Sequence, residues 1–147
     1  MIKKDSSKVT GMVNVVVRDD AGKIKQEFTV PNLVVDTGLA FIASRMKDAS
    51  DAAMSHMAVG TDNTVAASGN TALGTESARV ALTSSTVSTN AIAYVATFPA
   101  GTGTAALTEA GLFNDPTTGT MLCRTVFAVI NKGAADSMTV TWTVTIS

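Results

Sequence analysis

The segment Met138-Thr139-Val140-Thr141-Trp142-Thr143-Val144-Thr145-Ile146-Ser147 alternates an apolar residue with a hydroxyl-bearing one over its whole length. That period of two is the signature of a β-strand whose two faces meet different surroundings. One face, with Trp142 as its largest member, belongs to a core. The other presents threonines to water or to a second polar surface. Upstream, Met121 to Ile130 is almost continuously apolar, and Asn131 to Ser137 supplies turn residues between the two runs. The expectation is a terminal antiparallel hairpin whose first strand is central.

The same reading extends toward the N-terminus. Asn114-Asp115-Pro116-Thr117-Thr118-Gly119 is dense in turn formers and closes a short strand over Leu107 to Phe113. Ala91 to Phe98 places Ile92, Tyr94, Ala96 and Phe98 on one side. It is expected to pair with Ala78 to Thr83 across a polar connection, Ser84 to Asn90. Val9 to Arg18 and Ile24 to Val30 flank Asp19-Asp20-Ala21-Gly22-Lys23, a hairpin turn. One segment departs from this pattern. After Asp36, read as an N-cap, Leu39, Ile42, Ala43 and Met46 fall at helical spacing with Phe41 offset, which predicts one short helix over residues 37–48. Met54 to Val59 reads as a strand, and residues 60–74, rich in Gly, Thr, Ala, Ser and Asn, as an extended loop. Roughly eight or nine short strands with one helix predict an all-β fold, an antiparallel two-sheet β-sandwich of jelly-roll-like kind. Residues 1–8 form an N-terminal arm and 9–147 a single domain.

Composition narrows the function. The chain has 147 residues, 16% charged and 46% hydrophobic, with a net charge of −1. That balance gives no field to attract nucleic acid or an anionic membrane. From Val80 to Ser147 the only charged residues are Glu109, Asp115, Arg124, Lys132 and Asp136. A surface so poor in charge is expected to be covered by a neighbour. The single cysteine, Cys123, permits neither an internal disulfide nor a cysteine metal cluster, and its apolar strand predicts an inert thiol. No signal-peptide pattern follows the charged start, and no apolar run reaches membrane-spanning length, so synthesis in a cytoplasm without export is expected.

The inventory for catalysis is thin. His56 is the only histidine, and no serine has nucleophile-elbow spacing. Gly101-Thr102-Gly103-Thr104 and Gly60-Thr61-Asp62-Asn63-Thr64 lack the Gly-Lys-Ser/Thr of a phosphate loop and read as turns. Asp19, Asp20, Asp48, Asp51 and Asp62 lack the ordered spacing of a calcium loop. The seven methionines read as gap-filling core and interface residues. No enzyme activity, cofactor or metal is expected. Lys3, Lys4 and Lys8 form the only basic cluster, without the aromatic residues that a single-stranded nucleic-acid platform needs.

Three stretches together resemble small structural proteins of tailed-bacteriophage virions. They are Asn32 to Leu39; His56 to Thr61 continuing to Thr71-Ala72-Leu73-Gly74-Thr75-Glu76; and Thr108 to Asn114 with Gly119 to Arg124, Ile130 to Gly133 and the final threonine strand. The resemblance covers most of the chain and contains no catalytic signature. It implies a capsid decoration or cement protein that binds and stabilises the major capsid shell as a homo-oligomer, a trimer favoured, assembled on the virion in the host cytoplasm. A tail, collar or fibre-attachment subunit is the alternative. A carbohydrate-binding module would need exposed aromatic platforms, whereas aromatics are only 5% and Trp142 is expected inside. Expected assembly contacts are Lys3, Lys4 and Lys8 on the arm and Thr61, Asn63 and Asn70 in the loop.

Overall fold

The computed structural model describes residues 5–147. The strands are β1 (Val9–Arg18), β2 (Ile24–Pro31), β3 (Leu33–Val34), β4 (His56–Gly60), β5 (Glu76–Ala81), β6 (Ser84–Ser88), β7 (Ala91–Phe98), β8 (Ala105–Phe113), β9 (Met121–Lys132) and β10 (Ser137–Ile146), with helix α1 (Asp36–Lys47) between β3 and β4. They form two antiparallel five-stranded sheets. Sheet A has the order β2-β1-β10-β7-β6, and sheet B the order β3-β9-β8-β4-β5. The alternating C-terminal segment is the middle strand of sheet A. Its register pairs Trp142 with Val13 on one side and Tyr94 on the other. Trp142 is 0% exposed, and Met138, Val140 and Val144 are buried beside it.

The apolar faces of the two sheets meet in one core. Val13, Val15 and Val17 of β1, Ala96 and Phe98 of β7, Met57 and Val59 of β4, Leu107 and Leu112 of β8, and Phe127 and Ile130 of β9 all contribute. The hairpin β1–β2 forms as expected, its turn held by the Asp19 carboxylate, which accepts from the backbone N–H groups of Ala21 (3.0 Å) and Lys23 (2.9 Å). The 114–119 turn likewise joins β8 to β9 as a hairpin.

Two pairings differ from the sequence expectation. β9 and β10 do not form a hairpin: β9 lies in sheet B and β10 in sheet A. The connection is a corner, because Lys132 is buried there and its ammonium donates to the Pro99 carbonyl at 3.0 Å and the Asp136 carbonyl at 2.7 Å. The Asp136 carboxylate accepts from Lys25 at 2.6 Å and from the Gly133 N–H at 2.8 Å. Desolvation pulls the Lys132 ammonium pKa below its ordinary value, and the Asp136 charge opposes that shift. Glu76–Ala81 does not pair with β7 either. It pairs with β4 at the edge of sheet B, and the strand beside β7 on the side away from β10 is Ser84–Ser88, read from its polarity as a connection. An edge strand with solvent on one side needs little apolar content, which is why period and hydropathy passed over it.

Helix α1 starts one residue from the expected cap position. Val35 is the N-cap and Asp36 stands in the first turn, where its charge complements the helix dipole. The helix is also rotated from the expected face: Leu39, Ala43 and Met46 are exposed, while Phe41 and Ile42 pack on the core. Gly38 sets this rotation. It lies against the backbone of β9, where a Cβ would strike the Leu122 carbonyl, and the Thr37 hydroxyl donates to the Met121 carbonyl at 2.9 Å. The residues three and four positions after Gly38 therefore face inward.

Truncating the centre of this core should lower stability steeply. Trp142→Ala is expected to lower the unfolding free energy by about 3–5 kcal/mol, and Thr143→Val, on the opposite face of the same strand, to change it by less than about 0.5 kcal/mol. Urea unfolding checks both, and equal losses at the two positions would contradict the placement of the faces.

Candidate functional site

The outward faces of the two sheets are treated differently by the chain. On sheet B, Glu109 of β8 and Arg124 of β9 point away from the sandwich core and are nevertheless 0% and 2% exposed at the side chain. Residues 61–75 bury them by folding back over the sheet. The Glu109 carboxylate accepts from Arg124 Nη2 at 2.8 Å and Nε at 3.1 Å. It also accepts three backbone N–H bonds from the loop, from Thr75 at 2.8 Å, Gly74 at 2.9 Å and Asp62 at 3.2 Å. Arg124 Nη1 donates to the Thr64 carbonyl at 3.0 Å and to Asn70 Oδ1 at 3.2 Å. Gly60 lets the loop lie this close, since a Cβ there would strike both the Thr75 carbonyl and the Glu109 carboxylate. Leu73 of the loop joins Val35, Ala58, Phe113 and Met121 in a second, smaller apolar cluster on this side.

The same face carries a second polar lock. The Arg79 guanidinium stacks 3.8 Å from the centre of the Phe113 ring, pairs with Glu76 at 2.7 Å, and donates to the Asp115 and Thr118 carbonyls at 2.9 and 2.8 Å. The Asp115 carboxylate accepts from the N–H groups of Thr118 (2.8 Å) and Thr117 (2.9 Å), which hold its pKa down at about 2. Asp62 is lowered in the same way, by the Thr64 N–H and hydroxyl, with Arg124 adding to the effect.

The expected assembly residues separate within this framework. Thr61 is exposed at the start of the loop, with its N–H bonded to the Thr75 carbonyl at 2.9 Å, and Asn63 is exposed two residues on. Asn70 is half-buried and turned inward, its side-chain oxygen accepting from Arg124 and, at 2.8 Å, from the Ala67 N–H. It shapes the loop. The side chain of Lys8 is exposed, while its backbone extends the β1–β10 ladder through two bonds to Ser147, at 2.6 and 2.9 Å. Lys3 and Lys4 lie outside the described residues. His56 Nδ1 lies 2.8 Å from the Ser55 hydroxyl, and among the described residues no carboxylate hydrogen-bonds to the ring as the third member of a triad would. Cys123 is buried, and desolvation raises its thiol pKa well above the ordinary value.

Sheet A is bare where sheet B is covered. Its outward face carries Thr139, Thr141, Thr143 and Thr145 of β10, with Thr97 of β7 bonded hydroxyl to hydroxyl with Thr139 at 3.2 Å. No charged residue occurs between Arg79 and Glu109, a stretch that includes β6 and β7. All five residues of β6 are exposed, and Val87 is 71% exposed. Beside it an apolar cavity of about 240 Å³ opens between the sheets, lined by Phe41, Ile42, Val87, Ile92, Leu122 and Val144 among others. Comparisons with family models, curated proteins and solved structures give no match.

Sequence reasoning did not single out Glu109, Arg124 or β6. A signal for the first two was present: one acid in an apolar strand and one base near the start of the next, on either side of a turn. In the hairpin register Glu109 faces Val126 and Arg124 faces Gly111, so the two charges are diagonal neighbours on one face.

Removing one member of the buried pair leaves the other charge without its partner. Glu109→Gln or Arg124→Met is expected to cost about 3–5 kcal/mol, with the double replacement costing less than the sum of the two. Additive losses in urea unfolding would contradict the pairing. Asp115 adds a pH dependence. Its folded pKa of about 2 lies below the ordinary 3.8, so its contribution is complete above pH 3.8 and lost as pH falls toward about 2. Asp115→Asn should flatten stability across that window; an unchanged acid limb would count against the assignment.

Proposed function

We propose that this chain is a structural subunit of a tailed-bacteriophage virion, a decoration or cement protein that binds the major capsid shell and stabilises it. One observation carries the reading. The β10-β7-β6 half of sheet A carries no charged residue and is rich in small hydroxyl side chains, and a monomer exposed to solvent on that part of the face would lack the charge that keeps such surfaces apart. A protein that works by many repeated, modest contacts uses surface of this kind.

The pinned loop supports the same role. Thr61 and Asn63 stand on a segment whose backbone is fixed by Glu109 and Arg124, so ordering it costs little entropy when a neighbour binds. Binding only the assembled shell, the subunit shifts the equilibrium toward assembly by mass action. The resemblance to virion structural proteins in residues 32–39, 56–76, 108–114, 119–124, 130–133 and the final threonine strand leads to the same reading.

Quantitative mass spectrometry of purified particles, with the major capsid protein as internal reference, tests this reading. A copy number equal to that of the major capsid protein, or a fixed large fraction of it, is expected. A few copies per hundred would place the chain in the tail or collar instead, and absence from the particle would refute the virion role.

A further inference from the structure

From the four sheet edges we infer that β6 is a strand-addition interface through which two copies of this chain pair, antiparallel and about a two-fold axis, into one continuous ten-stranded sheet. The inference rests on the proposal that the chain works by assembly, and it names the partner: a second copy of itself.

The four edges are protected unequally. An edge strand presents unpaired N–H and C=O groups that template the addition of another strand, and folded proteins block such addition with charge, proline, bulges, shortness or cover. Three of the four edges among the described residues are blocked in this way. β2 carries Lys25, Glu27 and Pro31 and meets β1 through a register shift. β3 is two residues long. β5 carries Glu76 and Arg79 and meets β4 through a register shift at Gly60. β6, Ser84-Ser85-Thr86-Val87-Ser88, has neither charge nor proline, pairs with β7 in unbroken register, and is exposed at every residue.

The chemistry of an open edge selects its occupant. Backbone donors and acceptors at strand spacing are satisfied in register by another extended polypeptide. A second β6 fits because the strand is neutral and small: centred on Thr86, antiparallel pairing sets Thr86 against Thr86 and Ser84 against Ser88, with no like charges opposed. The same residue meets itself across the axis, as an isologous contact requires. Ser85 and Val87 lie on the core side, opposite Tyr94 and Ile92, so the added strand also covers Val87 at the rim of the cavity. This pairing builds a two-fold unit, in contrast to the trimer that the resemblance implies.

The test is sedimentation equilibrium of the whole protein up to millimolar concentration. Thr86 points outward, opposite Ala93, so charged replacements there leave the core intact. The wild type is expected to form dimers. Thr86→Lys and Thr86→Glu should each weaken association by at least about tenfold, and their equimolar mixture should restore it, since unlike charges then meet across the axis. A wild type that stays monomeric, a Thr86→Lys protein that associates as well as the wild type, or a mixture that associates no better than either variant alone would overturn the pairing. A chain found abundantly on the particle but monomeric in isolation would overturn the pairing and leave the virion reading intact.

Discussion

A carboxylate and a guanidinium placed on the outside of a sheet, and then buried, constrain everything around them. Glu109 and Arg124 would normally be solvated where they stand, on the face of sheet B that points away from the sandwich core. Their burial is tolerable because nearly every lone pair and donor is used: two bonds between the side chains, three loop N–H groups on the carboxylate, and a carbonyl and a side-chain amide on the guanidinium. The loop must follow one path for these bonds to form together. Gly60 admits that path, and Leu73 packs under it. One face of the sandwich is thereby closed by the chain itself.

The other face is left open, and the asymmetry underlies the functional reading. The polar locks gather on sheet B and at the β9–β10 corner, whereas in sheet A the charges of β1 and β2 give way, across β10, β7 and β6, to threonines, alanines and an unguarded edge. A fold that has covered one sheet with its own loop and left half of the other uncharged has one surface suited to neighbours.

Much of the architecture was legible in the sequence because strand periodicity is a local property. The C-terminal alternation identified a strand with one core face and the burial of Trp142, and the turn residues at 19–23 and 114–119 marked real chain reversals. Pairing was less legible, because it depends on contacts distant in sequence. The 131–137 segment looks like a hairpin turn, but Lys132 bonds to Pro99, 33 residues away, and that contact makes the segment a corner between sheets. β6 was missed for a related reason: Ser and Thr read as loop until β7 supplies the ladder. Within the candidate site, Thr61 and Asn63 are exposed as their composition suggested. Asn70, of the same polar character, is drawn inward by an arginine 54 residues away.

Held by Glu109 and Arg124, the 61–75 loop is a fixed layer of the fold. Amide hydrogen exchange in the native protein measures this residue by residue. The N–H groups of Asp62, Gly74 and Thr75, donated to Glu109, are expected to be protected to nearly the degree of the β8 ladder, although their own residues lie at or near the surface. Exchange at the rate of an open surface loop would show that Glu109 does not hold the segment down, and would contradict the account at its centre.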